Sequence, residues 1–149
     1  MKGLIQRVSD ASVSVDGARI SQIGQGMLLF LGVEKHDDAD GAKRLCQRVS
    51  QFRIFPDHSG RMNLSVADAG GSLLVVPQFT LAADTRSGNR PGFSVAADPE
   101  EARSLYQIFV EEARAILGAS RVATGEFGAD MQVSLTNSGP VTFLLETSR

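Results

Sequence analysis

The chain has no tryptophan, one tyrosine, one cysteine and two histidines among its 149 residues. A single thiol cannot form an internal disulfide, so the fold must be held by its core. Cys46 fits a reducing compartment. Two histidines and one cysteine do not make a zinc site without carboxylates. Long apolar runs are missing too, and none approaches the roughly 18 residues that span a bilayer. The start, Met1-Lys2-Gly3-Leu4-Ile5-Gln6-Arg7, meets polar residues too early for a signal peptide. The expectation is a cytoplasmic chain that leaves membranes alone. Neither sign of charge dominates: 15 basic and 17 acidic residues give a net −2. The pI is about 5.6. That excludes the broad basic surface of a duplex-wrapping protein more strongly than a local patch gripping a single-stranded end. What is present is globular: 42% hydrophobic and 21% charged residues. With no repeat and no linker-like shift, residues 1–149 read as one domain.

The first third reads as strands. Ala11-Ser12-Val13-Ser14-Val15-Asp16 alternates apolar and polar, the period of a half-buried strand. Asp16-Gly17 is a hairpin signal, and Ile20 to Ile23 a short return strand. Met27 to Leu31 is a continuous apolar run suited to a central strand. Asp37 or Asp38 can cap a helix whose stripe is Ala42, Leu45, Cys46, Val49 and Phe52. Leu73 to Phe79 is another apolar strand, and Asp84 to Ala97 a long loop. Asp98-Pro99-Glu100-Glu101 starts a second helix with a cap, an early proline and early acids, and Gly118 ends it. Two more strands are expected near Met131 to Leu135 and Val141 to Leu145, joined by a turn at Thr136 to Pro140. The whole reads as α+β: an antiparallel, barrel-like sheet with two packed helices.

Most candidates for chemistry have a plainer reading. Cys46 lies on an apolar helix face, where a thiol is structural. His36 and His58 sit in polar loops, outside any Ser-His-Asp signature. Asp37-Asp38 and Glu100-Glu101 stand where helix starts want negative charge. Gly24-Gln25-Gly26 lacks the third glycine and the helix of a dinucleotide site. Two segments resist. Val76-Pro77-Gln78-Phe79-Thr80 puts a proline and two polar residues at the end of an apolar strand. Asn137-Ser138-Gly139-Pro140-Val141-Thr142 reads as a hairpin turn or as a segment with a cis bond.

Gln78-Phe79-Thr80 and Asn137-Ser138-Gly139-Pro140-Val141-Thr142 resemble the two signature motifs of the D-aminoacyl-tRNA deacylases. Leu4-Ile5-Gln6-Arg7-Val8, Leu31-Gly32-Val33-Glu34-Lys35, Arg90-Pro91 and Ala129-Asp130-Met131-Gln132-Val133 also sit in that family's order, so the resemblance covers essentially the whole chain. It implies a homodimeric, barrel-like fold with active sites at the dimer interface. The implied reaction is hydrolysis of the ester joining a D-amino acid to the 3′ end of tRNA, with no metal or organic cofactor. The implied partners are the aminoacyl-tRNA acceptor end and a second copy of the chain.

By the same resemblance, Gln78, Phe79 and Thr80 form the catalytic segment. Gly139, Pro140, Arg7, Asn137 and Met131 bind substrate and select its chirality. Gly139-Pro140 would be a cis peptide reaching into the other subunit's pocket, with Arg7 holding it. Thr80 has only a positioning role, because no base stands near it in sequence. Lys2, Arg86 and Arg90 are expected to meet acceptor-end phosphates. Pro77 departs from the family, which usually has serine there; a related branch with looser chirality carries Pro-Gln. A non-enzymatic binder of nucleic-acid ends with the same fold is the alternative reading.

Overall fold

The two continuous apolar runs become adjacent central strands. In the computed structural model, which describes residues 1–147, β3 (Gly26–Gly32) lies parallel to β6 (Ser72–Pro77), with Leu29 opposite Val75. A strand covered on both faces reads as an unbroken apolar run. Here Met27, Leu29, Leu31, Leu73 and Val75 join the core under the helices. Leu28, Leu74 and Val76 face a second core on the other side.

β1 (Lys2–Val15) organises the rest. Its first half pairs antiparallel with β3 and its second half with β2 (Ala18–Ile23). The long β8 (Met131–Glu146) runs antiparallel along its other edge. β7 (Val122–Thr124) adds to β6 in parallel. The order is β2-β1-β3-β6-β7, with β8 on β1. β2 also approaches β6 and β7, so the sheet is nearly closed. A separate ribbon pairs β4 (Phe55–Pro56) with β5 (Met62–Leu64).

The barrel-like α+β architecture with two helices is as expected, but the sheet is mixed rather than wholly antiparallel. Parallel neighbours need long crossovers. α1 (Ala39–Gln51) lies in the connection from β3 to β6, and α2 (Pro99–Leu117) in that from β6 to β7. A larger difference concerns the last strands. No turn separates them. β8 is one strand, and both its halves run antiparallel to β1. A hairpin would have reversed the direction; residues 138–141 instead bulge out of a strand that continues.

α1 is capped by Asp38, whose Oδ1 accepts the Gly41 N–H at 2.7 Å. Asp37 instead accepts from the buried Met1 ammonium at 2.7 Å and from the Glu34 N–H. This fixes the turn after β3. α2 begins at Pro99 as expected, but the Asp98 side chain caps nothing; its carbonyl accepts the Ala102 N–H. Cys46 is buried, and burial pushes its thiol up to about 12. A protonated thiol inside a helix packing face has no role as a nucleophile. No helix among the described residues is long and apolar enough to cross a membrane.

Candidate functional site

The bulge in β8 lies opposite one residue of β1, Arg7. Gln6 pairs with Thr142 and Val8 with Asn137, so Arg7 alone faces residues 138–141. Four residues against one cannot stay in a ladder, and the excess is pushed out. Side chains close the gap. Asn137 Nδ2 donates to Thr142 Oγ1 at 2.9 Å, and Asn137 Oδ1 accepts the Val141 N–H at 3.0 Å. Arg7 Nε donates to the Ser138 carbonyl at 3.1 Å, and Arg7 Nη1 to the Ile54 carbonyl at 2.7 Å. The guanidinium fork thus ties the bulge to the segment before β4.

At the tip, the Gly139-Pro140 peptide is cis, and both residues are exposed. Gly139 has φ +131°, where L side chains rarely go. A Cβ there would lie 2.8 Å from Val141 Cγ2 and 3.2 Å from Arg7 Nη2. The need for glycine is therefore already present within one chain.

The other motif borders a cavity of about 460 Å³. β6 ends at Pro77, and the Gln78 N–H still donates to the Leu31 carbonyl at 2.8 Å. The chain then turns into a short 3-10 helix, Phe79–Ala82. Pro77, Gln78 and Phe79 line one side, Ala96, Ala97 and Pro99 another, and Tyr106, Phe127, Ala129 and Met131 the rest. Phe79 is 63% exposed, very high for a large apolar side chain. It rests against Phe93, ring centres 5.2 Å apart. Gln78 Nε2 donates to Thr80 Oγ1.

Tyr106 is the lining's one titratable side chain. Its hydroxyl donates to the Val75 carbonyl at 2.8 Å, and burial raises its pKa. It is a wall, not an acid or base. Its ring packs at a tilt against Phe127, centres 5.9 Å apart, and Arg103 lies over Phe127 at 4.8 Å. Met131 Sδ accepts the Glu126 N–H at 3.4 Å and so fixes the loop carrying Phe127.

Within one chain the expected residues fall into two groups. Gln78, Phe79 and Met131 meet at the cavity, with Thr80 just outside its lining. Arg7, Asn137, Gly139 and Pro140 form the bulge, and none of them lines the cavity. Tyr106, Phe127 and Phe93 were not anticipated at the site. The sole tyrosine on a buried helix stripe was the available signal, because a buried hydroxyl needs a partner. Two of the three expected phosphate ligands are already paired: Lys2 with Glu146 at 3.7 Å and Arg86 with Asp84 at 2.8 Å.

The fold and these two features define a small α+β protein with a nearly closed mixed sheet, an apolar cavity and a presented bulge. The family model described as D-Tyr-tRNA(Tyr) deacylase matches residues 4–146, and the chain belongs to that family. It is 66% identical over 149 residues to a D-aminoacyl-tRNA deacylase of Marinobacter nauticus, covering 100% of this chain and 96% of the relative. A D-aminoacyl-tRNA deacylase of Pectobacterium atrosepticum is 57% identical over 147 residues, covering 99% and 100%. A solved structure described as c-Myc DNA Unwinding Element Binding Protein superposes with TM-score 0.96 at 38% identity, each chain covered completely. A probable eukaryotic D-amino acid tRNA deacylase shares the fold, with TM-score 0.84 at 15% identity and 97% of each chain covered.

Proposed function

We propose that this protein hydrolyses the ester joining a D-amino acid to the 3′ end of tRNA, acting in the cytoplasm as a homodimer. Family membership over residues 4–146 supports the reaction. The observation that carries the site is the pairing of an apolar cavity with a bulge that, in one chain, stays outside it. A second copy would bring the exposed Gly139-Pro140 to the cavity of the first. Its main-chain carbonyls then stand where an L side chain would project, and the L substrate is rejected by clash.

An aminoacyl ester is already activated. Holding it and stabilising the oxyanion are enough to speed its hydrolysis. Gln78, Phe79 and Thr80 hold the ester. The N–H groups of Phe79 and Thr80 start a 3-10 helix and have no partner within it, so they are the donors for the developing oxyanion. The lining offers no carboxylate or imidazole to activate a nucleophile. The attacking water is therefore organised by the substrate's own ribose 2′-hydroxyl. Met131 and Asn137 support the site indirectly, through the Phe127 loop and the bulge. Pro77 lacks the hydroxyl and N–H of the family's usual serine, but the Gln78 N–H beside it still binds the Leu31 carbonyl. The strand end is thus kept.

The test is deacylation of matched D- and L-tyrosyl-tRNA by the purified protein. The D ester is released and the L ester spared. Glycyl-tRNA is also cleaved, because glycine has no side chain to clash. Release of both tyrosyl esters would place the chain with the relaxed branch. Release of neither would favour nucleic-acid binding without catalysis; the 38%-identical solved structure is described as a DNA unwinding element binding protein.

A further inference from the structure

The loop between the 3-10 helix and α2 carries charge that the cavity lacks. Residues 84–92 close on themselves: the Asp84 N–H donates to the Gly92 carbonyl at 2.7 Å and the Gly92 N–H to the Asp84 carbonyl at 3.0 Å. The tip is exposed and holds Arg86 and Arg90. Asp84 grips Arg86 through two hydrogen bonds, Nε to Oδ1 and Nη2 to Oδ2, each 2.8 Å. The guanidinium holds that carboxyl down to about 2, so the pair stays charged at any working pH.

This pairing orients Arg86 without covering it. The side chain is 87% exposed, and Nη1 keeps its donors for a ligand. Arg90 has no hydrogen bond or ion pair among the described residues. Just past the closure, Phe93 leans on Phe79 at the cavity mouth. The two cations therefore project from a closed loop rooted beside the mouth. Asp98 just before α2 and Glu100 and Glu101 in its first turn follow, so the surface is not broadly basic and only a few contacts are offered.

We propose that Arg86 and Arg90 bind the phosphates of the nucleotides that precede the esterified adenosine of tRNA, with Asp84 as the positioning residue for Arg86. The inference rests on the deacylase reading, which puts the ester at this mouth. A guanidinium fork fits phosphate oxygens. Each phosphate neutralised in a single strand contributes about 0.7 to the slope of log affinity against log salt. Such contacts are made equally in the ground and transition states, so their loss appears in KM and not in kcat.

The experiment compares wild type with the Arg86→Ala/Arg90→Ala double variant and with Arg61→Ala, an exposed cation on the β4–β5 ribbon. D-tyrosyl-tRNA and D-tyrosyl-adenosine, which has no phosphate, are the substrates. For the double variant on D-tyrosyl-tRNA, KM rises on the order of 10-fold near 0.1 M salt, kcat holds, and the salt slope of kcat/KM falls by about 1.4. Its D-tyrosyl-adenosine kinetics and melting temperature are unchanged, and Arg61→Ala behaves as wild type. An unchanged slope and KM on tRNA would overturn the proposal, as would an equal loss on both substrates. The tRNA slope decides even if the adenosine ester is too poor a substrate to measure. Failure of wild type to cleave D-tyrosyl-tRNA would contradict the deacylase reading itself.

Discussion

Thr80 is a hydroxyl beside the cavity whose partner is the Gln78 side-chain amide. An amide N–H can orient a hydroxyl oxygen but cannot take its proton. Activating a threonine requires a base, and the cavity lining offers none. Thr80→Ala is therefore expected to keep kcat for D-tyrosyl-tRNA within about 10-fold of wild type, below the 10²–10⁴ typical of losing acid–base catalysis. Single-turnover kinetics check this, and complete loss would make Thr80 a participant. Gln78 and Phe79 differ from Thr80 in that both line the cavity. Phe79 stays exposed although its burial would stabilise the fold, as expected of a side chain kept for a ligand or a partner.

The decisive element is the β8 bulge. Asn137 bridges its ends, Arg7 holds its first carbonyl, and β1 supplies the fixed rail on both sides. Gly139→Ala places a Cβ against Arg7 and Val141 at a φ that alanine resists. The strain is local and exposed. The expected cost is about 1–2 kcal/mol of stability, with deacylation falling by on the order of 10² or more because the presented carbonyls move. Denaturant midpoints and D-tyrosyl-tRNA turnover check the two parts. A variant with wild-type turnover would remove the bulge from the site.

This element also marks where sequence reading ends. Polar residues with Gly-Pro between two apolar stretches have the composition of a turn. A turn and a long bulge differ only in what lies opposite, which is a tertiary fact. The Arg7 pairing across 131 positions has no local trace either. By contrast, α1 and α2, the central apolar strands and the loop from Asp84 were legible, because periodicity and punctuation are local. The parallel pairing of β3 with β6 was within reach, since unbroken apolar runs around a helix are the signature of a crossover.

At the scale of the molecule, the two halves of the expected site do not meet in one chain. The cavity is built by β3, β6, α2, the Phe127 loop and the start of β8 at Met131 and Val133, whereas the bulge lies further along β8, opposite Arg7 of β1. On the proposed reading a complete site needs two copies, each lending its bulge to the other's cavity. Mixed dimers test this most directly. One copy carries Gly139→Ala, spoiling its bulge; the other carries Ala129→Trp, filling its cavity. Each variant alone is inactive on D-tyrosyl-tRNA. After unfolding and refolding together, half the molecules would be mixed, and each mixed dimer would hold one intact site. The account predicts recovery of about a quarter of wild-type activity, the statistical share for a closed two-fold pair. Refolded mixtures that form dimers yet stay inactive would contradict it, and would place cavity and bulge in the same chain's site or in no shared site at all.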